Sequence, residues 1–253
     1  MSKYSQDQSF DSLTTKFDNN IYGSTKGQLR HELLLHYLQT HVLTSKKPLN
    51  ILDAGGGTGK MTESLLDMGY QVTLTDISSN ALNKAQKKLA HHSNLIIEQT
   101  DILSLPDSPQ YDLVICHAVL EWLQAPLPVL NKLVSLTKQT GYMSLSFFNY
   151  DAQLFGNMLY GNFDYVEQGM KTKNIVRLSP NNPQKPRDIL SYLNTLPLQL
   201  IKQVGIRCFH DYMKDIDKQV SQYEQLKSLE IKYGSIEPYM WLGKYFMVIS
   251  QKE

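Results

Sequence analysis

The sequence predicts an α/β protein built on a doubly wound, mostly parallel sheet. Three observations carry that expectation. Short apolar runs alternate with amphipathic stretches through five units between residues 49 and 149. The first run opens into "GGGTG" (55–59), a glycine density that strips side chains from the turn between the first strand and the first helix. A chain of 253 residues with 42% hydrophobic content is long enough to bury one full core and sits near the upper end for a single α/β domain. One domain over 1–253 is therefore expected, with an N-terminal extension (1–48) and a sizeable insertion (about 150–198).

"LNILDA" (49–54) reads as a buried strand. "KMTESLLDMGY" (60–70) places Met61, Leu65, Leu66 and Met68 on one helical face and closes at Gly69. "QVTLTD" (71–76) is a second strand ending in an acid, after which Ser78 or Ser79 can cap a helix running to about His91. "NLIIEQTDI" (94–102) is a third strand leading to Asp101, and "YDLVICHAVLEWL" (111–123) a fourth that leaves His117 at its carboxyl end beside Glu121 and Trp122. "PVLNKLVSLTK" (128–138) is helical and "GYMSLSFFN" (141–149) is a fifth strand. After the insertion, "LQLIKQVGIRCFHDYM" (198–213) reads as a strand, residues 214–233 as a helix, and "YMWLGKYFMVIS" (239–250) as a final antiparallel strand.

Asp76 stands 17 positions after Gly59, at the carboxyl end of the second strand, where a carboxylate reaches the hydroxyls of a ribose. The spacing of 55–59 is too tight for the G-x-G-x-x-G of dinucleotide sites. With Asp53 in front it is similar to the acid-x-G-x-G-x-G pattern of Rossmann-like class I methyltransferases. That resemblance implies a backbone from Gly55 through Gly56 and Gly57 to Gly59 lying against S-adenosyl-L-methionine, and an Asp101 placed to read the adenine amino group. His117 is read either as a structural histidine or as a cofactor contact.

Composition narrows the setting. Cys116 and Cys208, far apart in apolar stretches, make neither a disulfide framework nor a metal cluster, so a cytoplasmic protein without a metal is expected. The first twenty residues lack an apolar signal segment and no 18-residue apolar run occurs, so no membrane association is expected. A formal charge of +1 excludes a globally basic nucleic-acid coat but permits a local basic face. Lys171, Lys173, Arg177, Lys185 and Arg187 form such a run without an acid between 171 and 187, just after Phe155, Tyr160, Phe163 and Tyr165. It reads either as a solvated loop or as a grip on phosphates with base stacking beside it.

Six segments resemble one family closely: "NIYGSTKGQLR" (20–30), "LDAGGG" (52–57), "HAVLEWL" (117–123), "GNFDYVEQGM" (161–170), "LSPNNP" (178–183) and "GIRCFHDY" (205–212). They are similar to the S-adenosylmethionine-dependent enzymes that esterify 5-carboxymethoxyuridine at the wobble position of bacterial tRNA. The resemblance spans nearly the whole chain, and the segments outside the glycine loop are the specific ones. It implies tRNA, through its anticodon stem-loop, as partner, with no obligate protein partner evident. It also implies that Arg30, Gly55, Gly56, Asp76, Ile77, Gln99, Thr100, Asp101 and His117 contact the cofactor. Arg30, on a helix over 26–38, would pair with the methionine carboxylate rather than stand as a surface arginine. Thr58 departs from the family, which is acidic there; its side chain is expected to point away from the cofactor. A small-molecule methyltransferase and a cofactor-binding, non-catalytic partner subunit remain open alternatives.

A carboxylate acceptor of pKa about 4 is already ionised at neutral pH, so no general base is required. The site needs a cation that orients the anion. Strand alternation over 204–209 sets Arg207 opposite Val204, Ile206 and Cys208. With the family motif around it, Arg207 is the expected carboxylate clamp, and His210 and Tyr212 complete its pocket.

Overall fold

The computed structural model describes residues 24–44, 47–108, 110–170 and 182–253. A helix, α1 (Thr25–His41), precedes the sheet, with Ser24 as its N-cap. The alternating core follows as β1 (Asn50–Ala54), α2 (Lys60–Asp67), β2 (Gln71–Asp76), α3 (Ser79–Leu89), β3 (Leu95–Gln99), β4 (Tyr111–His117), α4 (Pro126–Leu136) and β5 (Thr137–Phe148). The insertion supplies α5 (Tyr150–Leu159), α6 (Phe163–Glu167) and α7 (Pro186–Leu193). The chain then runs through β6 (Leu198–Ile206), α8 (Lys218–Ser221), α9 (Tyr223–Tyr233) and β7 (Tyr245–Lys252).

The seven strands lie in the order β3-β2-β1-β4-β5-β7-β6. The first five are parallel, and β7 inserts antiparallel between β5 and β6. Alternation sends Ile51, Leu113 and Ile115 to the layer of α1, α2, α3 and α9. Leu52, Val114 and Cys116 face the layer of α4 and α7. Both faces are covered, which is why these strands read as unbroken apolar runs. Among the described residues no helix is long and apolar enough to cross a membrane.

Several boundaries differ from the sequence expectation, among them the last strand, expected over 239–250 and found over Tyr245–Lys252 behind a 3-10 turn. The helix expected to 138 stops at Leu136, where the Thr137 hydroxyl donates to the Leu133 carbonyl at 2.8 Å and β5 begins at once. The fourth strand ends at His117 because Ala118 turns left-handed (φ 59°) and a 3-10 turn, Leu120–Trp122, follows. The strand expected over 198–213 ends at Ile206 for the same reason at Arg207 (φ 63°). The helix expected over 214–233 is two, broken at Gln222 (φ −123°, ψ 35°).

Candidate active site

The cleft lies beyond the carboxyl ends of β1, β2 and β4, the usual ligand side of such a sheet. It is lined by Arg30, His31, Leu34, Asp53, Gly55, Gly56, Gly57, Thr58, Met61, Asp76, Ala81, His117 and Ala118. Seven residues named from the sequence thus converge there: Arg30, Asp53, Gly55, Gly56, Gly57, Asp76 and His117. Thr58 also lines the cleft.

Asp76 is held by its own backbone surroundings. Its Oδ2 accepts the Gly57 N–H at 2.9 Å and its Oδ1 accepts the Ser78 N–H at 2.8 Å, so both oxygens are fixed at the end of β2. Asp53 has a different role from Asp76. It is 2% exposed and accepts the Thr62 hydroxyl at 2.7 Å, tying the end of β1 to the first turn of α2. Burial pushes its pKa up to about 6, with the charge of Asp76 adding to the shift and the Thr62 hydrogen bond opposing it.

The glycines serve two purposes. A Cβ on Gly56 would come within 2.5 Å of Leu74 Cδ1 and 2.6 Å of the Asp53 carboxyl, so the protein's own packing forbids a side chain there. A Cβ on Gly59 would meet Leu89 Cδ1 at 3.0 Å and Leu74 Cδ2 at 3.3 Å. Gly59 is absent from the cleft lining. It holds a packing and helix-entry position, where the loop closes onto α3.

His117 ends β4 with its Nε2 2.8 Å from Ser144 Oγ, while its Nδ1 is buried with no partner among the described residues. Burial, with the charges of Arg30 and His31 added, lowers its pKa to about 3, so the ring is neutral at neutral pH. Both readings of this residue therefore meet in one ring: it is anchored to the sheet and it faces the cleft. Arg30 is 8% exposed rather than a surface arginine, and its guanidinium stacks over the Tyr245 ring at 4.9 Å. His31, not foreseen, holds Ser64 Oγ at 3.0 Å, and burial lowers its pKa to about 4.

Ile77, Gln99, Thr100 and Asp101 lie outside the lining but remain contiguous with Asp76. The Thr100 N–H donates to the Asp76 carbonyl at 3.1 Å, and Gln99 Nε2 donates to the Ile77 carbonyl at 3.2 Å. Asp101 accepts the Leu103 N–H at 2.8 Å and is exposed.

The clamp expected at Arg207 is corrected by its partners. Arg207 is off the strand, 6% exposed, and its Nε and Nη2 donate in a fork to the two oxygens of Asp211 at 2.8 Å each. Its Nη1 donates to the Lys26 carbonyl at 3.0 Å, which ties this loop to the first turn of α1. Three of its five N–H donors are thus committed within the protein. The Tyr212 hydroxyl is likewise committed, to the Leu242 and Ala152 carbonyls at 2.9 and 3.3 Å, and His210 is 3% exposed. Sequence reasoning missed Glu230, whose carboxylate accepts the N–H groups of Cys208, Phe209 and His210 at 2.6 to 2.9 Å and so fixes the loop.

Of the basic run, Lys185 and Arg187 are described. The Lys185 ammonium lies over the Tyr150 ring at 5.2 Å and the Arg187 guanidinium over Trp241 at 5.0 Å. Lys171, Lys173 and Arg177 lie outside the described residues.

Comparison with known proteins adds four findings. A family profile described as a methyltransferase domain matches residues 52–143. The tRNA 5-carboxymethoxyuridine methyltransferase of Escherichia coli (strain K12) is 39% identical over 255 aligned residues, covering 98% of this chain and 97% of the relative. The malonyl-[acyl-carrier protein] O-methyltransferase of Halalkalibacterium halodurans is 33% identical, but over only 42% of this chain and 41% of its own. Among solved structures, magnesium protoporphyrin IX methyltransferase from Synechocystis PCC 6803 aligns with a TM-score of 0.66 at 17% identity, covering 96% of both chains.

Proposed function

The chain belongs to the tRNA 5-carboxymethoxyuridine methyltransferase family, and on that premise we propose that it methylates the carboxylate of 5-carboxymethoxyuridine at the wobble position of tRNA, using S-adenosyl-L-methionine. The observation that carries this reading is coverage: 39% identity persists over 98% of the chain, including the insertion and the carboxyl-terminal strands. The H. halodurans relative, by contrast, matches less than half of it.

The cleft residues fit the cofactor. A Cβ on Gly57 would find only Asp76 Oδ2, at 4.0 Å, so the cleft side of the glycine loop is open where Asp76 presents its fixed carboxylate. Asp76 would hold the ribose hydroxyls, Arg30 the methionine carboxylate, and the partnerless Nδ1 of His117 a polar group at the cleft wall. Ile77, Gln99, Thr100 and Asp101 would flank the adenine. When bound, the cofactor would supply an electrophilic methyl group on a sulfonium, with the thioether as leaving group.

The protein's contribution is alignment and charge. An ionised carboxylate needs no base, which agrees with a cleft whose two lining histidines both have lowered pKa values. The basic residues Lys171, Lys173, Arg177, Lys185 and Arg187, with the aromatics Tyr160 and Phe163 at 75% and 56% exposure, would meet the anticodon stem-loop. A tRNA-modifying role places the protein in the cytoplasm. To test the reading, purified protein and cofactor are incubated with tRNA from a strain lacking the activity, and digested nucleosides are analysed by mass spectrometry. Conversion of 5-carboxymethoxyuridine to its methyl ester supports it. Turnover of small carboxylic acids but not tRNA, or cofactor binding without transfer, overturns it.

A further inference from the structure

Lys244 lies between the 3-10 turn Tyr239–Leu242 and the first residue of β7. Its backbone is fixed from two sides: its N–H donates to the Arg207 carbonyl at 3.2 Å, and its own carbonyl accepts the Asn149 N–H at 3.1 Å. Its ammonium stands 5.0 Å from the centre of the Phe148 ring, at the end of β5. Among the described residues no carboxylate pairs with it. Asp211, whose charge acts on Lys244, gives both oxygens to Arg207, and the charges of Arg207 and Lys26 act on Lys244 as well. The charges of Arg207 and Lys244 thus act on one carboxylate. Burial lowers the Lys244 pKa, and the charges of Arg207 and Lys26 add to that effect while Asp211 opposes it.

This excess of positive charge adjoins the cleft. The Tyr245 ring has the Arg30 guanidinium 4.9 Å from its centre and the Arg207 guanidinium at 5.7 Å, and it packs against Phe148 at 5.6 Å. Arg30 lines the cleft. A small anion beside Tyr245 would complete the charge balance that the protein leaves incomplete.

We infer that the Lys244 ammonium holds the carboxylate of the acceptor nucleotide, with the Arg207–Asp211 pair acting as a rigid support rather than as the clamp. The inference rests on the proposed carboxylate acceptor. An ammonium suits the reaction because it is a point charge with no fork. It can engage one carboxylate oxygen and leave the other to the methyl carbon, whereas a guanidinium fork engages both.

The test compares wild type with Lys244→Met and Lys244→Arg on an anticodon stem-loop carrying 5-carboxymethoxyuridine, and on the same RNA carrying 5-methoxyuridine, which lacks the carboxylate. Methylation kinetics, affinity for each RNA and affinity for S-adenosylmethionine are measured. Lys244→Met should raise KM by about 10–100-fold and lose the wild-type preference for the carboxylate RNA, with cofactor affinity unchanged. Lys244→Arg should recover most of both but lower kcat, since its fork engages both carboxylate oxygens. A Lys244→Met protein that keeps wild-type KM and preference overturns the inference. So does one whose cofactor affinity falls with its activity, or one whose KM and preference arginine fails to restore, since each marks a purely structural lysine. If wild type esterifies no RNA, the proposed function itself is wrong, and that outcome is read without any variant.

Discussion

Replacing Asp76 with alanine removes the acceptor for two backbone N–H groups and, in the bound state, for two ribose hydroxyls. The Gly57 and Ser78 N–H bonds at 2.9 and 2.8 Å are part-buried, so water can replace the carboxylate there. The loss of stability without cofactor should be modest, about 1–2 kcal/mol. The loss in cofactor binding should be larger, roughly 2–4 kcal/mol, because two hydroxyl bonds to a charged acceptor vanish together. This corresponds to about 30- to 1000-fold in Kd. Asp76→Asn should recover little: an amide has one acceptor oxygen, and its NH2 group would face one of the two N–H donors. Calorimetry gives the Kd, and the rise in Tm on adding S-adenosylmethionine gives an independent reading, since a ligand stabilises only in proportion to its affinity for the folded state. Unchanged Kd and an unchanged cofactor-induced Tm shift in Asp76→Ala would refute the ribose assignment.

Two further variants separate structural from binding charges. Arg207→Ala should destabilise the fold by about 2–4 kcal/mol, read by chemical denaturation, because it leaves Asp211 without its fork in a site where that carboxyl is 20% exposed. Burial raises the Asp211 pKa, but the Arg207 guanidinium, with His210 Nδ1 3.5 Å from Oδ2, outweighs it and holds the group at about 2. A depressed carboxyl stabilises above its unfolded pKa near 4, so the gap between wild type and Arg207→Ala should shrink as pH falls from about 4 to 2. A gap constant across that range contradicts the pairing. Asp53 titrates in the opposite sense: burial raises its folded pKa to about 6, so its stabilising contribution is complete below pH 4 and is lost as pH rises to 6. Stability of wild type relative to Asp53→Asn should fall by about 3 kcal/mol over that window; parallel profiles would show that Asp53 is not held protonated.

The central strands are legible in the sequence because they are covered on both faces and so read as apolar runs. β2 falls on "QVTLTD" and Ser78 caps α3 as its hydroxyl chemistry predicts. The cofactor cleft is legible for a related reason: Gly55, Asp76 and His117 each end or follow a strand, and the topology gathers strand ends. What the sequence conceals is the loop at 207–212. An arginine carries no mark of a left-handed backbone, and alternation fails one residue past the strand. The partners that set its conformation are distant, with Lys26 181 positions away and Glu230 up to 22. Glu230 sits in an otherwise polar helix and gives no local sign that its carboxylate is buried under three N–H groups. Lys244 is concealed likewise, since its distinction is a missing partner.

The reaction itself is tested most directly by the fate of the transferred methyl. The protein is incubated with S-adenosylmethionine labelled in its methyl group and two anticodon stem-loop RNAs, one with 5-carboxymethoxyuridine at the wobble position and one with uridine. Label should enter the first RNA alone, and mild alkali should release it as methanol, as a carboxyl ester requires. Label that enters the uridine RNA equally, or that survives alkali, would place the methyl on a base or ribose atom and contradict the carboxylate as acceptor.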